Sequence, residues 1–329
     1  MVLKKFTGKK VLITGGLGFI GSNLAIQLNK LGADVNIMDA MISDYGGNFF
    51  NIENIKDDIS VNISDIRDRN SINILVRDMD FIFHLAGQSS HILSLTDPYP
   101  DIDINITGTV NLVEACRKYN PDVKIIYTGT RGQYGPTQKL PVSEDAPTNP
   151  KGIYEISTLT AEKIMKVYND THNIRTVMLR LTNIFGPRAQ MKHSKYGVAN
   201  WFIRLALDNE TIKVFGDGSI LRDFLYIDDC IEAIILSALS DEADGEIMNL
   251  GKDEPVPFLE YARKVIEITG SGKWKFAPFT PERKAQEPGD FYSDITKIKN
   301  ILGWQPKISI EDGIDMTSRY YKKYKKYYW

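Results

Sequence analysis

Val11-Leu12-Ile13-Thr14-Gly15-Gly16-Leu17-Gly18-Phe19-Ile20-Gly21 joins an apolar strand directly to a glycine-punctuated turn and the start of a helix. Gly15 permits the tight turn, Gly18 lets the backbone approach a pyrophosphate with no Cβ in the way, and Gly21 lets the helix lie close on the strand. Free N–H groups at the helix N-terminus, from Phe19 and Ile20, then face the phosphates. A second apolar strand, Asp34-Val35-Asn36-Ile37-Met38, ends in Asp39 about 20 residues downstream, where a carboxylate accepts hydrogen bonds from both ribose hydroxyls. The pattern predicts a dinucleotide site and favours NAD over NADP. A 2′-phosphate would meet the charge of Asp39, and no Arg or Lys occupies residues 40 to 55 to receive it.

The chain has 329 residues, 43% of them hydrophobic and 25% charged, enough for a large core and a second lobe. A net charge of −2 predicts no nucleic-acid partner. Cys116 and Cys230 lack CxxC spacing and sit in apolar, helix-like runs, so they read as small core residues. His84, His91, His172 and His193 are scattered without metal-ligand spacing, and no metal site is expected. No window reaches the length of a membrane span, and residues 1 to 10 lead into the first strand without a signal-peptide pattern. The expectation is a cytoplasmic protein without membrane partners.

Apolar runs at 11–14, 35–38, 81–85, 125–128 and 176–181 read as short buried strands, and amphipathic stretches such as 108–119 and 154–171 lie between them. Such βαβ alternation implies an α/β fold, a doubly wound parallel (Rossmann) sheet with its ligand beyond the carboxyl ends of the strands. Past Gly186-Pro187 the pattern breaks into loops, isolated helices and short strand-like pieces, a smaller C-terminal α/β lobe for substrate. The expected division is residues 1–185 for NAD and 186–329 for substrate. Within 222–250, a helix at 228–239 and a strand at 247–250 return to the sheet. The aromatic, basic end at 320–329 reads as a helix terminus that packs its rings on the protein and exposes its lysines, with a membrane or nucleic-acid contact as the alternative.

The order of motifs resembles the extended short-chain dehydrogenase/reductase family, in particular the NAD-dependent nucleotide-sugar epimerases and dehydratases. The resemblance spans nearly the whole chain. It rests on the glycine turn, Asp65-Ile66-Arg67, His84-Leu85-Ala86-Gly87, the run from Asn105 to Thr109, Thr128-Gly129-Thr130, Tyr154 opening a helix, the run from Arg180 to Pro187, the run from Arg222 to Asp228, and Leu302-Gly303-Trp304-Gln305-Pro306. It implies that Asp65 and Ile66 contact adenine and that the backbone of Leu85, Ala86 and Gly87 passes beside the nicotinamide half of NAD.

The family's chemistry uses a phenol that accepts a proton from a sugar hydroxyl while hydride leaves for the nicotinamide, with a Ser or Thr hydroxyl sharing the hydrogen bond. Here these are Tyr154 and Thr130. A phenol near its ordinary pKa of about 10 needs a nearby cation, and the family supplies a Lys one helical turn after the Tyr. That position is Thr158. Lys163, nine residues beyond Tyr154, falls on the opposite helix face. Three readings stay open: Arg131 supplies the charge, the reaction tolerates a slow base, or the chain binds its ligands without turnover. The family's 4,6-dehydratases carry Thr-Asp-Glu where this chain has Thr130-Arg131-Gly132, and related decarboxylases keep a Glu at the third place, so both reactions are disfavoured.

By the same resemblance Asn183 and Arg222 hold the substrate diphosphate and Phe215 packs against its base. An Arg usually precedes Pro-Gly-Asp. Here Glu287 precedes Pro288-Gly289-Asp290, a carboxylate expected to repel the diphosphate, with Arg283 or Lys284 as candidates to compensate. The expected protein is an epimerase acting on a nucleotide-diphosphate sugar through a transient keto sugar, a homodimer through the helices at 108–119 and 154–171. The alternatives are a dehydratase or reductase with altered catalytic groups, and a catalytically silent NAD and nucleotide-sugar binding protein.

Overall fold

A computed structural model describes residues 5–281, 284 and 287–329. The chain begins β1 (Lys10–Thr14), α1 (Phe19–Lys30), β2 (Asp34–Asp39), β3 (Ser60–Ile63), α2 (Arg69–Leu75) and β4 (Phe81–His84). It continues with α3 (His91–Thr96), α4 (Tyr99–Ile102), a π turn at Asp103–Thr107, α5 (Gly108–Tyr119), β5 (Lys124–Thr130), α6 (Ile153–His172) and β6 (Arg175–Leu181). The second half carries β7 (Asn183–Phe185), α7 (Val198–Leu207), β8 (Thr211–Phe215), β9 (Leu221–Arg222), β10 (Phe224–Tyr226), α8 (Ile227–Leu239) and β11 (Ile247–Leu250). After them come β12 (Val256–Pro257), α9 (Phe258–Thr269), β13 (Lys273–Ala277) and helices at Thr296–Leu302 and Ile310–Tyr324.

Seven strands form one parallel sheet in the order β11-β6-β5-β4-β1-β2-β3, a Rossmann sheet extended by β11 beside β6. Its inner strands are largely apolar on both faces because helices cover both, whereas the edge strand β3 is mostly exposed. Alternate side chains split between two apolar layers: Val11, Ile13 and Ile126 meet Leu24, Leu28 and Ile234 on one side, while Leu12, Ile82 and Ile125 meet Leu112, Cys116 and Met165 on the other. Both cysteines are buried in these layers. The order of the strands reverses between β1 and β4, and a cavity of about 450 Å³ opens beyond their carboxyl ends.

Three two-stranded pairings, β7 with β10, β9 with β12 and β8 with β13, stand apart from the main sheet, and of them β7 reaches the cavity through Asn183 and Ile184. The C-terminal aromatic residues pack on the protein. Tyr327 stacks on Phe50 at 3.6 Å between ring centres, the Tyr328 hydroxyl donates to Asn51 Oδ1 at 2.6 Å, and the Trp329 indole donates to Asp208 at 2.9 Å. Lys322, Lys323 and Lys326 stay exposed. Among the described residues no helix is long and apolar enough to cross a membrane.

Candidate active site

The glycine turn makes the cavity floor. Gly15 has φ +71°, and a Cβ there would lie 2.9 Å from the backbone of Ala86. A Cβ on Gly21 would lie 2.3 Å from the carbonyl oxygen of Gly15, so helix α1 reaches the turn only because that Cβ is missing. Helix α1 carries no side-chain N-cap, which leaves its first amides open to a ligand. Asp39 ends β2 with each carboxylate oxygen accepting one backbone amide, Leu17 at 3.0 Å and Met41 at 2.9 Å. Each oxygen keeps lone-pair capacity for a ribose hydroxyl. Burial raises the pKa of Asp39 above the ordinary carboxylate value, and the two amides partly offset that shift.

Strand ends β1 and β4 are fixed by a hydrogen-bond chain. Thr14 Oγ accepts from the amides of Leu85 at 3.2 Å and Ala86 at 3.1 Å, so its own hydrogen faces His84 Nδ1 at 2.9 Å. The opposite nitrogen, Nε2, then carries the proton toward Thr109 Oγ at 3.0 Å, and Thr109 donates to the Asn105 carbonyl at 2.6 Å. Burial pushes the His84 pKa down to about 4, which keeps the ring neutral as this chain requires. Asp65 is clasped by Arg67, whose Nε donates at 2.9 Å and Nη2 at 2.6 Å, and this guanidinium holds its carboxyl below the usual range.

Gly15, Gly18, Phe19, Ile20, Gly21, Asp39, Asp65, Ile66, Leu85, Ala86 and Gly87 all line the cavity, and so do Thr130, Arg131, Tyr154 and Asn183. Phe215 and Arg222 do not. Arg222 is buried, with Nη1 donating to the carbonyls of Leu221 at 2.7 Å and Gly289 at 2.6 Å, and Nη2 donating to the Glu287 carboxylate. Glu287, expected from its position to repel a diphosphate, instead neutralises the arginine meant to bind one. Buried Arg222 Nε has no hydrogen-bond partner. Phe215 packs its ring on Phe279 at 5.7 Å. Lys284 is exposed, and Arg283 lies outside the described residues.

At the end of β5 the Thr130 hydroxyl accepts the Gly132 amide at 3.1 Å and lies beside the phenol of Tyr154, whose ionised form it favours. Burial drives the pKa of Tyr154 well above its ordinary value and the neighbouring Glu155 carboxylate adds to that. Thr130 and Arg131 oppose both effects without reversing them. Thr158 offers no charge: its hydroxyl donates back to the carbonyls of Tyr154 at 3.0 Å and Glu155 at 3.1 Å. Lys163 is exposed and lies 3.6 Å from Glu162, away from the phenol. Arg131 stacks over the Phe291 ring at 5.1 Å, and burial together with the Arg222 charge lowers its pKa to about 10, so it remains a cation at neutral pH.

Two cavity residues escaped the sequence reading. The His91 ring stands edge-on to that of Tyr154, with centres 5.0 Å apart at 80°, and Nδ1 of His91 is hydrogen-bonded to the carboxylate of Glu155. A Cβ on Gly132 would lie 2.7 Å from Glu155 Cγ, so the space above the position that lacks an acid is filled by an acid from α6. The two partners are 64 residues apart and carry no local signature.

Fold and site together define a dinucleotide-binding α/β enzyme with a tyrosine and a threonine hydroxyl at the sheet's carboxyl edge. Residues 11–251 match the model of the NAD dependent epimerase/dehydratase family, and the chain belongs to that family. NAD is its cofactor, and the open helix amides, the glycine turn and Asp39 fit it. A putative UDP-glucose 4-epimerase of Methanocaldococcus jannaschii is 32% identical over 95% of this chain and 98% of its own length. A UDP-N-acetyl-alpha-D-glucosaminuronate decarboxylase of Bacillus cytotoxicus is also 32% identical, over 96% of this chain and 98% of its own. The solved UDP-glucose 4-epimerase of Thermotoga maritima with UDP-glucose superposes with a TM-score of 0.86 at 30% identity, covering 96% of this chain and 99% of that one.

Proposed function

We propose that the chain epimerises a nucleotide-diphosphate sugar through a transient keto sugar, with NAD regenerated in each cycle. The observation that carries this reading is the pairing of Tyr154 and Thr130 hydroxyls at the mouth of the cofactor cradle. Bound NAD supplies reversible hydride transfer. Tyr154 accepts the proton of the sugar hydroxyl and Thr130 holds the phenol in place, while Arg131 is the cation that counters burial of the phenolate. Likeness to epimerases supports the reaction, and the absence of an acid pair at Arg131 and Gly132 disfavours dehydration by the family route.

In this reading residues 1–185, with 222–250, hold NAD and residues 186–329 form the nucleotide-sugar lobe. Asn183 stays at the cavity to meet the diphosphate, its amide already donating to the Asp223 carbonyl at 3.1 Å. Arg222 joins it, and Phe215 meets the base, only after Arg222 leaves Glu287, so nucleotide binding is coupled to opening that ion pair. Tyr119, Ile156 and Val167 are exposed on α5 and α6, which supports a homodimer through these helices in the cytoplasm.

The test is turnover. The NAD-loaded protein is incubated with UDP-, GDP-, CDP- and dTDP-sugars and products are followed by NMR; one epimeric pair in equilibrium is expected. A 4-keto-6-deoxy product or loss of carbon dioxide would refute it. Thr158 and the Arg222–Glu287 pair favour one second reading, a silent binding protein, which predicts nucleotide-sugar binding with no product at all.

A further inference from the structure

Glu155 occupies a slot that two glycines leave for it. A Cβ on Gly152 would lie 2.3 Å from its Oε2, and one on Gly132 would lie 2.7 Å from its Cγ. Its Oε1 is hydrogen-bonded to His91 Nδ1, while buried Oε2 has no partner. A buried carboxylate with half its capacity unused is costly unless the imidazole beside it bears charge at some point in the protein's work. His91 lines the same cavity as the glycine turn with its side chain 51% exposed, so the imidazole is accessible to whatever fills the cleft. Facing the pair are Tyr154, edge-on to the imidazole, Arg131, and Asp101 on α4, whose carboxylate is taken up by Gln88 and Asn105.

A carboxylate bonded to one imidazole nitrogen fixes the tautomer so that the other accepts a proton, and it stabilises the imidazolium that results. The pair cannot serve as the missing lysine. Its charges cancel when His91 is protonated, and the Glu155 carboxylate raises the phenol's pKa rather than lowering it. Its imidazole lines the cavity that Tyr154 and Thr130 also line, and in the proposed reading those two already handle the hydroxyl proton.

We propose that His91, positioned by Glu155, is a second proton-transfer group that acts on a carbon-bound hydrogen of the sugar, the one next to the transient ketone. This rests on the epimerase reading above and specifies it: the inverted carbon is adjacent to the oxidised one. Oxidation of a hydroxyl acidifies the neighbouring C–H. That bond breaks, its electron pair enters the enolate, and the proton goes to Nε2 of His91, with Glu155 balancing the imidazolium. Water in the open cleft returns a proton to the opposite face of the same carbon, which inverts it, and His91 gives its proton to solvent. The hydride and hydroxyl proton removed at the outset then return to the carbonyl, so the sugar carbon first oxidised is reduced again and the cycle has no net redox change.

The experiment runs the NAD-loaded protein in D2O with the nucleotide sugars of the panel. It follows reduced nicotinamide by absorbance in single turnovers and carbon-bound deuterium by NMR. The wild-type product is expected to carry one solvent deuterium at the inverted carbon. His91→Asn should lower deuterium entry relative to nicotinamide reduction by about a hundredfold or more, the usual worth of a proton-transfer group. Glu155→Gln should lower the same ratio by on the order of tenfold, because the amide still accepts from Nδ1 while the charge is gone. A variant that no longer folds shows itself by losing NAD binding, and the other variant then carries the test. Nicotinamide reduction with a deuterium-free product, or wild-type exchange in both variants, overturns this role and leaves the epimerase reading standing. No nicotinamide reduction with any sugar overturns the epimerase reading and this role with it.

Discussion

Thr158→Lys places a cation one helical turn from the Tyr154 phenol, and its effect can be worked from the structure. Thr158 lines the cavity and spends its hydroxyl on the helix carbonyls, so a lysine there has open space to enter and displaces no bond to another element. Residues four apart on a helix have Cβ atoms about 6 Å apart. At that distance and an effective dielectric of about 20, one unit charge stabilises a phenolate by about 3 kcal/mol, or about two pKa units. Burial holds the wild-type phenol protonated through neutral pH. A base that works as the phenolate gains rate as pH rises toward its pKa, so the rising limb of nicotinamide reduction should move about two units toward lower pH in Thr158→Lys. The assay is single-turnover reduction across pH, with phenolate absorbance of the same protein read against Tyr154→Phe. A limb that stays in place in a folded, NAD-binding variant refutes the premise that an uncompensated phenol limits the wild-type enzyme.

Further outcomes follow from the same geometry. Tyr154→Phe should reduce turnover sharply and leave NAD affinity largely intact, since only the chemical step needs the phenol; NAD titration beside turnover checks both halves. Asp39→Ala should weaken NAD by roughly ten- to a hundredfold, the worth of charge-assisted hydrogen bonds, and relax the preference against NADP; equal affinity of the wild type for both cofactors would contradict it. His84 has a folded pKa of about 4 against an ordinary value near 6.5, so the unfolded chain binds the extra proton between these values. Its contribution, about 3 kcal/mol, is complete above pH 6.5 and is lost as pH falls toward 4, a slope that urea unfolding at stepped pH should show and His84→Gln should flatten. Glu287→Gln should release Arg222 and raise affinity for a nucleoside diphosphate about tenfold, whereas Arg222→Ala should lower it; calorimetric titration with UDP showing no change in either removes Arg222 from the site.

What the sequence made legible follows one physical rule: information carried by local spacing could be read, and information carried by contact across the sheet could not. The strands at β1, β2, β4, β5, β6 and β11 are short apolar runs because both faces are covered, and α5 and α6 begin and end within one residue of the amphipathic stretches that foretold them. The glycine turn and Asp39 could be placed from spacing because the fold needs bare backbone and a strand-end acid there, while Thr130 and Tyr154, named from the resemblance, line the same cavity. Thr158 was legible as an absence. Arg222 with Glu287 and His91 with Glu155 were not, since each pair joins residues more than 60 positions apart. Position alone then gave the wrong electrostatics for the first pair, because a carboxylate placed near a phosphate site reads as repulsive until the arginine it neutralises is seen. Both departures from the family pattern, a charge lost at Thr158 and a charge gained at Glu287, make the cleft less positive than its relatives' motifs lead one to expect. Arg131 is left as the free guanidinium on the cavity wall among the described residues that the motifs singled out. In the proposed reading it is therefore the cation that answers for the phenolate, and a single Arg131→Ala substitution should lower turnover while nucleotide-diphosphate affinity, left to Asn183 and Arg222, stays largely as it was.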